Sequence, residues 1–459
     1  MRRQLVLLFL GLIVVATAPL SAGEPVFRLA TFSSDVTPPL GHPLLAGATI
    51  APPVKRIDDP LFARGFVLLG AEKPLVVVSV DWCEIRNDAY DRWRDVLAEA
   101  AGTDRARVLV TAIHQHDVPL PDLEAQRILD RHGAKSKIFD LEFHEKTVQA
   151  AAQALRASLA EARTVTHIGT GQATITHLVS NRRYVDQAGK IWFDRSSMSG
   201  GKAPQAESAE GLVDPQLKTL SFWNGETPLC ALNVFAIHPM SYWGTGWVTS
   251  DFPGLARERR QADDPKVFQI YASGASGNLT AGKFNNGNHE NRSVLTNKLY
   301  EGMIAAWKST KRQPLTAATF RAPPLRLEPR NDAGYTVEDM TRLLSHPDPR
   351  KQSVGALGLS WRKRADAGHV LEIPAIDFGS ACLMLLPGES YLEYQLLAQR
   401  LRPDAFVVVM GYGESAPGYI GTDRAWDEDD GNLHDWCWVG RSESAMTKAI
   451  HAALNVTDK

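Results

Sequence analysis

Short unbroken apolar runs alternate along this chain with stretches of helical period, and several of the runs end in polar side chains capable of chemistry. Residues 74–81 read as a strand buried on both faces, as parallel strands commonly are. Asn87 then opens a helix whose apolar positions Trp93, Val96, Leu97, Ala100 and Ala101 fall on one face, and Gly102 stops it. The next apolar run begins at Val108 and ends in His114-Gln115-His116-Asp117. Strand, helix and strand in so short a span predict a right-handed βαβ unit with parallel strands. Asp81 and His114 then emerge at neighbouring carboxyl ends, the edge where open α/β sheets place their ligands.

The pattern recurs downstream. Residues 230–237 form an apolar run ending in His238-Pro239, residues 381–386 lead into Pro387-Gly388-Glu389, and residues 406–411 run out into Tyr412 and then Tyr419. Amphipathic helices are predicted over 143–159 and 294–307, and a Ser-, Gly- and Ala-rich surface loop flanking the site over 196–211. Residues 313–375, with scattered Pro, Arg and Asp, read as an accessory excursion. The expected fold is α/β, with mixed or largely parallel sheets flanked by helices and a site at the carboxyl ends of strands.

In an extended strand, positions i and i+2 share a face, so His114 and His116 would present two imidazoles on one rigid edge. Such a pair is half of a zinc site, because zinc accepts imidazole nitrogen and carboxylate oxygen and catalytic sites keep one position open. The plainer alternative is one buried, hydrogen-bonded histidine and one exposed one. Asp81 either orients a ligating imidazole or serves as a structural carboxylate at the strand end.

At 459 residues and 44% hydrophobic, the chain can bury a large core, as one elaborated domain over 23–459 or two intimate ones. A net charge of -2 gives no basic field, which excludes nucleic acid as a partner. The N-terminus has Met1-Arg2-Arg3, an apolar stretch over 5–15 and small residues up to Ala22, the three regions of a secretory signal over 1–22. The mature chain is expected to begin near Gly23, secreted or periplasmic; an uncleaved membrane anchor is the alternative. The four cysteines, Cys83, Cys230, Cys382 and Cys437, lack C-x-x-C spacing, and Cys230 and Cys382 read as buried thiols within strands.

Motif order adds a resemblance. Residues 35–41, Asp-Val-Thr-Pro-Pro-Leu-Gly, resemble the opening motif of the neutral ceramidase family, zinc amidases that cleave the N-acyl bond of ceramide. Residues 78–81 and 111–116 are similar to its strand-aspartate and T-H-T-H motifs, Asn181-Arg182 to its N-R-S segment, and Val213-Asp214 to its aspartate before a strand. Residues 235–238 with Ser250-Asp251 resemble its F-A-x-H and S-x-D pair, while residues 386–389 and 418–420 resemble the segments bearing its metal-binding carboxylate and tyrosine. The resemblance runs from about residue 30 to about residue 425.

Carried over by position, it implies a zinc ion (Zn2+) held by His114, His238, Glu389 and Tyr419, with His116 and Arg182 lining the substrate pocket, and a small-molecule or lipid-like N-acyl substrate. The family's G-D-x-S-P-N loop, which bears its nucleophile, appears here as Gly277-Asn278-Leu279-Thr280-Ala281-Gly282, making Thr280 the third catalytic candidate after His116 and Arg182. The glycine-rich turn after the histidine pair is replaced by residues 117–121, and the chain ends soon after the last motif, where the family continues into a C-terminal β-domain. The expectation is a shorter, divergent relative: a secreted zinc hydrolase of an amide or related acyl bond using zinc-activated water. The alternative is a degenerate member that binds a ligand without turning it over.

Overall fold

The structure is a computed structural model that describes residues 26–46 and 49–456. The signal-like segment and the expected start at Gly23 lie outside the described residues. Among those described, no helix is long and apolar enough to cross a membrane.

Three larger sheets carry the fold. In spatial order the first is Val108–Ala112, Leu75–Val80, Phe62–Leu69, Phe27–Asp35 and Arg163–Val165. The second is Phe268–Ser273, Thr227–Phe235, Gln216–Asn224, His167–Thr174 and Lys311–Pro314, and the third is Thr319–Arg321, Ala375–Asp377, Ala381–Leu385 and Phe406–Met410. Each contains one parallel pair: Leu75–Val80 with Val108–Ala112, Thr227–Phe235 with Phe268–Ser273, and Ala381–Leu385 with Phe406–Met410. A helix joins the strands of each pair: Asn87–Ala101, Asp251–Asp263 and Leu392–Leu401. The remaining pairings within these sheets are antiparallel, so of the two arrangements expected the sheets are mixed rather than largely parallel.

The first helix follows its sequence pattern. Trp93, Val96, Leu97, Ala100 and Ala101 are buried, and Gly102 ends it in a left-handed conformation with φ 66, donating its N–H to Glu99. Asn87 departs from its expected capping role. Arg86 occupies the cap position without a side-chain capping bond, and the Asn87 amide points inward to Asp122 and Ser360 at 2.7 and 2.9 Å. The open, buried end of the helix is satisfied by another segment, the Glu414 carboxylate accepting the Asn87 N–H at 2.7 Å.

The sheets pack over a shared apolar core in which Phe66, Phe222 and Phe378 bring the first, second and third sheets together, with ring centroids 5.1 and 6.0 Å apart. Their strand ends are also stitched by hydrogen bonds. The Gly411 N–H donates to Ser273 O at 2.8 Å and the Ala112 N–H to Tyr412 O at 3.1 Å. The Ser273 hydroxyl donates to Ile113 O and the Thr111 hydroxyl to Gly411 O, both at 2.7 Å. Three carboxyl edges from distant parts of the sequence thus meet as one rigid floor.

The helices Leu141–Ser158 and Glu290–Lys308 occupy the two predicted helical stretches. Residues 313–375 contribute the strand Thr319–Arg321 to the third sheet, lead into its next strand at Ala375, and form the helix Pro349–Asp366, whose Trp361 is buried in the main core. The loop over 196–211 is less superficial than expected. Ser197, Ser199 and Ser208 are buried, and the buried Arg195 guanidinium donates to the carbonyls of Asn181, Gln205 and Ala209 at 2.8 to 2.9 Å. All four cysteines are buried free thiols.

Candidate metal centre

The strand Val108–Ala112 stops short of the histidine pair. His114 takes φ 69, a region few residues other than glycine enter, and its N–H donates to Trp82 O at 3.0 Å. The two imidazoles therefore do not sit side by side on a pleated edge as the sequence predicts. They stand at 89° with centroids 5.6 Å apart, yet both line one pocket of about 200 Å³. His238, Glu389, Tyr419 and Arg182 line the same pocket, joined by Met240, Asn432, Asp435 and Trp436.

Each donor is aimed by backbone geometry. The His114 Nδ1–H donates to the carbonyl of Cys83 at 2.7 Å, which leaves the Nε2 lone pair facing the pocket. Tyr412 stacks on the ring, with centroids 4.1 Å apart and planes at 14°. Glu389 and Tyr419 pair directly in a two-residue parallel ladder. Gly277 makes room behind it, since a Cβ there would fall 2.1 Å from Glu389 O.

His114 Nε2 lies 3.3 Å from Glu389 Oε2, and His238 Nδ1 lies 3.7 Å from the same oxygen. A tetrahedral zinc ion with bonds of about 2.0–2.1 Å sets its donors about 3.3–3.4 Å apart, so these atoms have the spacing one small ion needs. Both His114 Nε2 and Glu389 Oε2 are buried without a hydrogen-bond partner, a costly state that coordination would relieve. His114, His238 and Glu389 form a buried donor set, and the chemistry of two imidazoles and a carboxylate suits zinc.

The electrostatics agree. Burial, with the Arg182 and His114 charges next, holds the His238 pKa well below its ordinary value, and burial, with His114 and Arg182, does the same to His116. Both rings are thus neutral, as metal ligands or proton acceptors must be. For His114 burial works against the charged ring, yet Cys83 and Glu389 outweigh it and raise the pKa well above the ordinary value. Tyr419 is also tied in: its hydroxyl accepts from Arg182 Nη1 at 2.7 Å, and it interacts with Glu389. Arg182 additionally donates to Asn432 at 2.8 Å and faces the His238 ring nitrogens at 3.1 and 3.4 Å.

Thr280 is placed differently. It pairs with Ser180 in a short ladder, its hydroxyl accepts the Gly282 N–H at 3.1 Å, and it is not among the pocket-lining residues. Asn278 braces the same loop, its amide donating to Glu393 at 2.9 Å and its oxygen accepting the Leu392 N–H at 3.0 Å. Asp81 is a structural carboxylate, held bidentate by the buried Arg257 at 2.6 and 2.7 Å, and makes no contact with a ligating ring. Sequence reasoning did not find Trp436, Asn432 or Asp435, which follow the last recognisable motif. It also missed the Cys83 carbonyl, since every residue offers one.

No family model matches the chain, and no curated protein matches its sequence. Solved structures do. A crystal structure of the neutral ceramidase from Pseudomonas aeruginosa superposes with a TM-score of 0.65 at 16% identity, over 95% of this chain and 76% of that one. A ceramidase complexed with C2 gives 0.64 at 17% identity, over 94% and 75%. Across nearly its whole length, the chain has the neutral ceramidase fold.

Proposed function

We propose that this chain is a zinc-dependent hydrolase of an amide or related acyl bond, a shorter relative of the neutral ceramidases acting on a small-molecule or lipid-like N-acyl substrate. The observation that carries the reading is the buried donor set of His114, His238 and Glu389, two of whose atoms have no other partner. Tyr419 completes it from the position opposite Glu389. Zinc held by these residues would supply Lewis acidity for an acyl carbonyl and lower the pKa of a water toward neutrality.

His116 is the proton carrier. Its ring is neutral, lines the pocket and faces His238 Nε2 through its own Nε2 at 3.3 Å, so it can take a proton from the attacking water and return it to the leaving nitrogen as the C–N bond breaks. Arg182 holds the Tyr419 phenol and the Asn432 amide in place and presents a buried cation to the acyl oxygen or a polar head group. Thr280, whose hydroxyl is engaged by its own loop, serves the shape of that loop while water attacks. The signal-like segment over 1–22 supports export, with the mature chain beginning near Gly23.

The test is metal content and turnover of the purified chain on short N-acyl amines, N-acyl amino acids and ceramides. One zinc per chain, with release of acid and amine that stops on chelation, is the expected result. Zinc without turnover of any of these would favour the ligand-binding reading, and a metal-free protein that hydrolyses them would exclude the zinc mechanism.

A further inference from the structure

The Cys83 carbonyl aims the His114 ring, but His116 has no such guide: its Nδ1 is buried without a hydrogen-bond partner. Besides His114 and His238, the ring set against it is Trp243, with centroids 6.2 Å apart and planes at 57°. Trp243 leads into a turn with Gly244 at φ 82 and Gly246 at φ 75, a stretch that is conformationally permissive by itself. One buried side chain holds that turn. Asp117 Oδ1 accepts the Gly244 N–H at 2.9 Å, while Oδ2 accepts the Thr245 N–H and hydroxyl, both at 2.8 Å, and the Gly246 N–H at 3.3 Å. Asp117 directly follows His116 in the chain, so contacts close a ring from His116 through Asp117, the turn and Trp243 back to the imidazole.

Three successive backbone N–H groups that converge on one carboxyl group form a concavity suited to it, and the Thr245 hydroxyl adds a fourth bond. We propose that Asp117 is a positioning residue for His116. It fixes the turn over 244–246, the turn sets Trp243 against the imidazole, and the ring is thereby pointed without any bond to its Nδ1. Asp117 itself is not among the residues that line the pocket, so it acts only through these neighbours. The demand for such a device is steep, because a reacting group must be held within about 0.5 Å of its productive place and a displacement of about 1 Å can cost about 100-fold in rate. The effect on turnover rests on the hydrolase reading above; the clamp itself does not.

Asp117→Asn is the clean variant. Asparagine matches aspartate in size and accepts the left-handed backbone at φ 58, but its amide sets a donor against donors. Hydrogen–deuterium exchange on the full chain should find peptides over 240–248 protected in the wild type and fast in Asp117→Asn, with the remaining peptides unchanged. Hydrolysis of a short N-acyl amine should fall about 10–100-fold in kcat with KM little changed, and the same substitution in a His116→Ala background should add no further loss. Trp243→Leu should lower kcat in the same way while the turn stays protected, and Trp243→Phe should restore part of it. Unchanged exchange in Asp117→Asn overturns the clamp, and an equal loss of kcat with and without His116 overturns the positioning role. Fast exchange alongside full activity of His116→Ala would keep the clamp and remove His116 as proton carrier. If no N-acyl amine, N-acyl amino acid or ceramide is hydrolysed, the hydrolase reading falls and exchange alone decides the clamp.

Discussion

Glu389 and Tyr419 lie opposite one another in a parallel ladder only two residues long, with the Glu389 N–H donating to Gly418 O at 2.9 Å. Direct cross-strand neighbours project to the same face, so this one pairing puts the carboxylate and the phenol on the same side of the pocket although 30 residues separate them in the sequence. Glu389 follows the strand Ala381–Leu385 and Tyr419 follows Phe406–Met410, the parallel pair of the third sheet. The site is an extension of that pairing beyond the sheet's edge.

His238→Ala and Glu389→Ala should each strip zinc from the protein while leaving the fold in place, because both side chains end in the pocket rather than in the apolar core. Atomic absorption on the purified variants, with circular dichroism as the fold control, checks this; full zinc occupancy in either would remove that residue from the donor set.

Tyr419→Phe keeps the ring and deletes the hydroxyl that Arg182 and Glu389 share. As the group that completes the donor set, the hydroxyl should matter at least as much as an orienting partner, whose loss costs about 10–100-fold in metal affinity or activity. Chelator competition should show zinc released earlier by that factor, and an unchanged affinity would make the tyrosine a wall of the pocket only.

Thr280→Val should remove the acceptor of the Gly282 N–H and leave that buried donor unsatisfied, costing about 1–3 kcal/mol. Turnover should persist in the variant, and in the unsubstituted protein no acyl adduct on Thr280 should be found by mass spectrometry during slow hydrolysis. An adduct there would make the hydroxyl a nucleophile and replace the water mechanism.

Arg257→Met leaves the buried Asp81 carboxyl group without its bidentate partner, which should cost about 3–5 kcal/mol in urea unfolding. The double variant Asp81→Leu with Arg257→Met should recover much of the loss, since no charge is then stranded. If both proteins unfold at the same urea concentration, the pair does not carry the junction of the first sheet with the helix Asp251–Asp263.

His144 is buried beside Trp82 and Phe139, and burial lowers its pKa to about 4. Its folded value is below the ordinary 6.5, so the unfolded chain takes up the proton first. The stability it contributes is complete above pH 6.5 and is lost as the pH falls toward 4, on the order of 3 kcal/mol in all. His144→Leu should flatten the decline of unfolding free energy over that window by up to one proton, and parallel pH profiles for the two proteins would refute the assignment.

The sequence by itself determined the pieces. Apolar runs of strand length, the helical spacing of Trp93, Val96 and Leu97, and the stop at Gly102 are local properties, and the first βαβ unit follows from them because a short crossover leaves one right-handed solution; the crossover helices of the other two parallel pairs were not read from the sequence. That His114, His238 and Glu389 stand past strand ends was legible for the same reason. Only the tertiary structure decided that these ends meet, through bonds such as Gly411 N–H to Ser273 O that join residues far apart in the chain and leave no periodic mark in it. It also decided the left-handed turn at His114, the carbonyl of Cys83 that selects the tautomer, and the local engagement of the Thr280 hydroxyl. Each depends on where a backbone group lies in the folded chain, and backbone groups are the same in every residue, so no side-chain pattern announces them.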